Sequence, residues 1–130
     1  MSVTPQVIGI AVVEHAGAYL VGVRGPDGPL PGCAEFPGGK CHPDEAPGMC
    51  ACRECLEETG LVVTPVECLL EHRHTYPHGT VELHFWLCRP VSVAEVRSDH
   101  QGFRWIAAAE LGAQRFPEAN AAVLGRLTGR

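Results

Sequence analysis

Between Pro47 and Gly60 the chain carries one segment whose two ends are both marked. Pro suits the first turn of a helix, where its missing N–H would have no partner anyway, and Gly suits the left-handed position just past the end. The spacing therefore predicts a helix. Gly48 in the first turn weakens it by up to ~1 kcal/mol relative to Ala. Strand signals lie on both sides. Val7 to His15 is rich in β-branched residues and stops at the turn signal Ala16–Gly17, and Ala18 to Arg24 resumes as its hairpin partner. Gly25 to Gly32 reads as loop, Glu35–Phe36 as a short extended piece before Pro37, and Gly38–Gly39 as a sharp backbone feature.

After the helix, Leu61 to Leu70 and Val81 to Cys88 read as strands, joined by a loop from His72 to Gly79 that holds Pro77 and Gly79. Phe103 to Ile106 reads as a short strand, Ala107 to Leu111 as a helical turn and Pro117 to Leu127 as a C-terminal helix. Strands that flank a helix and then return give a mixed sheet with helices on its faces, an α/β arrangement. The 130 residues suit one domain spanning 1–130, and 45% hydrophobic content gives it a core to bury.

Charge removes some function classes. Ten Lys and Arg stand against 15 Asp and Glu, so no broad basic face tracks a polymeric nucleic acid. A nucleotide substrate stays open, because a bound cation can carry the charge that a phosphate needs. No apolar run reaches the ~20 residues that span a bilayer. The N-terminus lacks a basic leader, so the expectation is a cytoplasmic protein with no membrane partner. The odd set Cys33, Cys41, Cys50, Cys52, Cys55, Cys68 and Cys88 favours free thiols. Cys50, Cys52 and Cys55, with Cys41 and His42, raise a zinc reading. Only Cys52 and Cys55 have C-x-x-C spacing, and at ~100° per residue Cys50 and Cys52 face different sides of a helix. Small half-buried helix residues are the preferred reading. The histidines, His72, His74 and His78 among them, are read as surface-strand or loop residues.

The predicted helix carries the chemistry. Glu54, Glu57 and Glu58 stand at i, i+3 and i+4, which stacks three carboxylates on one face about 5–6 Å apart at Cβ. Like charges there repel unless something offsets them. A hard divalent cation does, since Mg²⁺ and Mn²⁺ prefer oxygen ligands and share them with substrate phosphates. The competing reading is a solvated acidic face. Arg53 has Glu57 at i+4, which favours a salt bridge that orients carboxylates.

The stretch from Gly39 to Leu61 fits the pattern G-x5-E-x7-R-E-U-x-E-E-x-G-U, with U a bulky apolar residue. Gly39, Glu45, Arg53, Glu54, Glu57, Glu58 and Gly60 fill the fixed positions, and Cys55 stands where an aliphatic residue is usual. The chain thereby resembles the Nudix hydrolase family. Glu35 to Lys40 (EFPGGK), Leu83 to Leu87 (LHFWL) and Phe116 to Asn120 (FPEAN) resemble the MutT branch of that family.

The resemblance implies an α/β/α sandwich around a central mixed β-sheet, and Mg²⁺ or Mn²⁺ as cofactor. It implies hydrolysis of a nucleoside triphosphate to monophosphate and pyrophosphate, with an oxidised purine such as 8-oxo-dGTP preferred. A pyrimidine triphosphate pyrophosphatase and a non-catalytic nucleotide sensor are the alternatives. The implied metal ligands are Glu54, Glu57, Glu58, Asp99 and the Gly38 carbonyl. Glu54, then Asp99, is the implied base for water. Glu45 is expected to support the loop where it meets the helix. Arg24 corresponds to a phosphate contact, Phe36 and Tyr76 to ring contacts, and Asn120 to the residue that reads the base edge. Each also has a local alternative: a strand-end Arg, core packing for Phe36, an early-helix polar residue for Asn120, and a turn acid for Asp99.

Overall fold

The computed structural model describes residues 4–28 and 30–128. Strands β1 (Gln6–His15) and β2 (Ala18–Val23) form the expected hairpin through Ala16 and Gly17. Two short strands follow, β3 (Ala34–Glu35) and β4 (Gly38–Lys40), then helix α1 (Pro47–Thr59). A long hairpin comes next, β5 (Val63–Tyr76) and β6 (Gly79–Pro90). A second small hairpin, β7 (Asp99–His100) and β8 (Phe103–Ala107), precedes a 3₁₀ turn at Ala108–Ala113 and helix α2 (Ala121–Leu127). The sheet order is β5-β6-β1-β2-β8-β7, with β3 on β2 and β4 on β1. The β1–β6 pair is parallel from Gln6↔Val81 to Val13↔Cys88 and the other pairs are antiparallel, so the sheet is mixed.

The two helices cover opposite faces because alternate residues of a strand point to opposite sides. On β1, Ala11 and Val13 pack with Ala51 and Cys55 of α1, and with Leu61, Cys88 and Phe103. Between them, Val12 faces the other way, towards Phe85, Leu111 and Val123 of α2. This is the α/β/α sandwich. The α1 side is built of small residues so that the helix can sit close. A Cβ on Gly9 would stand 2.7 Å from the Pro47 carbonyl oxygen, and one on Gly48 would stand 3.0 Å from the Trp86 ring. The close approach offsets the helix propensity that Gly48 gives up. Gly60 ends α1 in the left-handed region at φ 77°, its N–H donating to the Leu56 carbonyl.

Three expectations change. Gly38 and Gly39 form no sharp turn; they are extended residues of β4, paired with Ile10 and Gly9. The segment 72–79 is no loop, since β5 runs to Tyr76 and only Pro77 and His78 turn. Cross-strand pairs hold that extension, with Arg73 on Glu82 at 2.6 Å and the Thr75 and Thr80 hydroxyls 3.2 Å apart. The C-terminal helix begins later than Pro117: residues Glu118–Asn120 make a 3₁₀ turn before α2. All seven cysteines are free thiols. Among the described residues, no helix is long and apolar enough to cross a membrane.

Candidate active site

The site begins where β4 meets α1. Bonds from Ala11 N–H to the Pro37 carbonyl (2.8 Å) and from Cys41 N–H to the Val7 carbonyl (2.9 Å) bracket the Gly9↔Gly39 pair. In an antiparallel ladder the intervening residues turn their polar groups to the other side. Gly38 and Lys40 thus offer their backbone outward, towards α1. The Gly38 N–H lies on the side of the Glu58 carboxylate and favours its ionised form. The Lys40 carbonyl accepts from Arg53 Nη2 at 3.1 Å. The Gly38 carbonyl lies on the same edge, where the resemblance expects a ligand. A Cβ on Gly39 would overlap the Glu54 carboxylate, so any other residue there displaces that carboxylate from its place beside Arg53.

Arg53 is the centre of the polar network. Its Nε donates to Glu45 Oε2 at 2.8 Å and its Nη2 to Glu45 Oε1 at 3.0 Å. Its Nη1 donates to Glu54 Oε2 at 3.0 Å and to Glu57 Oε2 at 3.1 Å. A planar guanidinium with five N–H donors serves all of these at once. Glu45 also accepts the His42 N–H at 2.9 Å, which fixes the loop before α1. The Arg53 hydrogen bonds, more than anything else, hold the Glu45 carboxyl down to about 2. Spacing within the helix predicted only the weaker partner, Glu57.

Glu58 behaves in the opposite way. Burial, then the hydrogen bond and charge of Glu54, push its carboxyl up to about 8; Glu35 adds to the same effect. Two carboxylates in hydrogen-bond contact need a shared proton or a cation between them. This crowding of oxygen donors, with Glu57 and the Gly38 carbonyl beside it, fits a hard divalent cation.

On the other side of Gly38 lies a cleft of about 240 Å³. Arg24, Phe36, Tyr76 and Asn120, all expected at the ligand, line it together with Glu35 and Gly38. Phe36 is both core and wall: it is buried and stacks on Phe116 at 4.8 Å. Asn120 donates Nδ2 to the Pro117 carbonyl at 3.2 Å, which fixes its amide at the rim. An amide held by one donor hydrogen still has a second hydrogen and an oxygen for a ligand. Tyr76 ends β5, packed between His74 at 4.5 Å and His78 at 5.6 Å.

Glu35 is the residue that sequence reasoning missed. It pairs with Arg24 at 3.6 Å in the cleft and its charge reaches Glu58. Burial raises its own pKa. Its place beside Gly38 in EFPGGK was the available signal. Asp99 is not in this network: its Oδ1 accepts the Gly102 N–H at 2.9 Å and closes the β7–β8 turn. That turn does pack on the C-terminal end of α1, where the Gln101 amide lies 3.1 Å from the Cβ position of Gly60.

The family model for the NUDIX domain matches residues 9–126. A protein of Escherichia coli named CTP pyrophosphohydrolase is 30% identical over 111 residues, which is 85% of this chain and 81% of that protein. A Haemophilus influenzae protein named 8-oxo-dGTP diphosphatase is 34% identical over 94 residues, covering 72% of this chain and 68% of its own. The crystal structure of a MutT protein from Methanosarcina mazei superposes with a TM-score of 0.76 at 21% identity, over 97% of this chain and 96% of that one.

Proposed function

The chain belongs to the NUDIX domain family, and on that premise we propose that it is a divalent-metal-dependent nucleoside triphosphate pyrophosphohydrolase. The products are a nucleoside monophosphate and pyrophosphate, and the preferred substrate is an oxidised purine such as 8-oxo-dGTP. One observation carries the reading: Gly38 and Glu35 belong both to the cleft and to the surroundings of the carboxylate face. A nucleotide with its base in the cleft then has its phosphates at the glutamates.

Mg²⁺ or Mn²⁺ held by Glu54, Glu57, Glu58 and the Gly38 carbonyl supplies charge neutralisation for the phosphates. The chain's own residues do the rest. Arg53 fixes the orientation of Glu54 and Glu57. Glu54 is the base we assign for the attacking water, as the family resemblance implies, since the Asp99 carboxylate is taken up by its own turn. Arg24 offers positive charge at the cleft for a phosphate. Phe36 and Tyr76 supply ring surfaces, and base stacking on such rings is worth about 1–3 kcal/mol. Asn120 offers a donor and an acceptor to a purine edge.

A second reading, a CTP pyrophosphatase, is favoured by the name of the Escherichia coli relative. It uses the same glutamates and differs only in the base. The decisive experiment is pyrophosphate release with Mg²⁺ across 8-oxo-dGTP, dGTP, dCTP, CTP and a dinucleoside polyphosphate, for wild type and Asn120→Ala. The highest kcat/KM is expected for 8-oxo-dGTP, and Asn120→Ala should lower it roughly 5- to 150-fold while poor substrates change little. A highest value for CTP transfers the assignment to the second reading. An equal loss on every nucleotide makes Asn120 structural. No turnover of any nucleotide removes the catalytic reading and leaves a nucleotide sensor.

A further inference from the structure

A second donor set lies on the opposite flank of Arg53 from the catalytic glutamates. Cys41 follows β4 and Cys50 stands in the early part of α1. Their Sγ atoms and a Glu45 carboxylate oxygen all lie within 4.8 Å of one another. Cys50 is buried and Cys41 half-buried, so the set is closed on one side and reachable on the other. Donors bound tetrahedrally at about 2.3 Å (S) and 2.0–2.2 Å (O) stand roughly 3.5–3.8 Å apart, so a contraction of about 1 Å admits an ion. Two sulfurs make this set soft, whereas the face of Glu54, Glu57 and Glu58 is all oxygen and hard. Softness therefore sorts cations between two neighbouring places.

We propose that Cys41, Cys50 and Glu45 form a binding site for a thiophilic divalent cation of the zinc and cadmium class, separate from the carboxylate face. Three protein donors leave one tetrahedral position for a water. Both thiol protons leave to solvent as the ion binds. The cation with two thiolates and one carboxylate carries a net charge of −1. The Arg53 guanidinium balances it, with Nη2 3.9 Å from Cys50 Sγ and both Glu45 oxygens within its reach. The site does not depend on the nucleotide reading. It separates the cysteines as spacing alone could not: Cys41 and Cys50 join Glu45, while Cys52 turns to Cys88 and Cys55 to Thr59.

The test is a Cd²⁺ titration of the reduced full chain in excess Mg²⁺, which occupies the oxygen site. The readout is thiolate-to-metal charge-transfer absorption, with calorimetry for affinity. One ion per chain with a thiolate band is expected. Cys41→Ser should abolish most of the band and weaken Cd²⁺ binding at least ~10-fold. This variant lies outside the helix and the core, and circular dichroism checks that it is folded. Cys50→Ser should do the same, and Cys52→Ser should change neither readout. A missing band in wild type, a band retained in folded Cys41→Ser, or a band lost in Cys52→Ser overturns the proposal.

Discussion

Glu57 is the most exposed of the three glutamates on α1, and its carboxylate shares Arg53 Nη1 with Glu54. An ion pair on an exposed helix face adds little to stability. A carboxylate that holds the cation neutralising phosphate charge during reaction adds much to rate. Glu57→Gln should therefore cut turnover at least ~10²-fold while the melting temperature stays near that of wild type. Near-normal turnover in the folded variant would remove Glu57 from the site. What could be read at this scale depended on distance along the chain. The Arg53–Glu57 contact is an i,i+4 pair and follows from helix geometry alone. Arg53–Glu45 is stronger, but the two stand eight positions apart, across the junction of loop and helix. The pattern named Glu45 without showing its partner. The charge of Glu35 acts on Glu58 only because the fold brings β3 near α1, a proximity that no local period encodes.

At the scale of elements, the site is a strand edge laid along a helix, and glycine permits it. Pro47 and Gly60 made α1 legible because helix ends have local rules. β4 was not legible, because Gly38–Gly39 looks like a turn unless one knows that a strand and a carboxylate close in on both sides. The extended part of β5 was hidden by Pro77 and Gly79, whose breaking effect covers two residues and not eight. The loop before α1 depends on Glu45 clamping Arg53 and the His42 N–H. Its carboxyl falls from an ordinary 4.5 to about 2 on folding. A depressed acid contributes stability that is present above 4.5 and lost as pH falls through about 2. Glu45→Gln should thus be less stable than wild type at neutral pH. The two denaturation midpoints should converge as pH falls from 4.5 to about 2. A constant gap between them across that range would show that Arg53 does not hold Glu45 ionised.

Across the whole molecule, the two faces of the sheet meet at Glu58. The cleft lies on the α2 face and the carboxylate helix on the α1 face, and β3 and β4 join them at Glu35 and Gly38. The mixed sheet with helices on both faces was legible because the order of elements fixes it. The convergence was not, since it needs β1 to carry β4 on one part of its length and β2 on the other. Its physical cost is concentrated in one group. Folding buries Glu58 against Glu54 and lifts its carboxyl from 4.5 to about 8. A raised acid keeps a proton in the native state that the unfolded chain has released, so stability falls as pH rises between those values. A divalent cation on the glutamates replaces that proton. Below about 8 it must displace the proton; above, it meets ionised carboxylates that repel each other. Binding to the native state alone raises stability by mass action. The melting temperature of metal-free protein should therefore fall across this window, and the gain from a fixed Mg²⁺ concentration should grow across it. Glu58→Gln should show a flatter metal-free profile and a small, pH-independent gain. Scanning both proteins with and without Mg²⁺ tests this. An Mg²⁺ gain in wild type that ignores pH, or equal slopes in the two proteins, would mean that Glu58 is not where the cation and the fold are coupled.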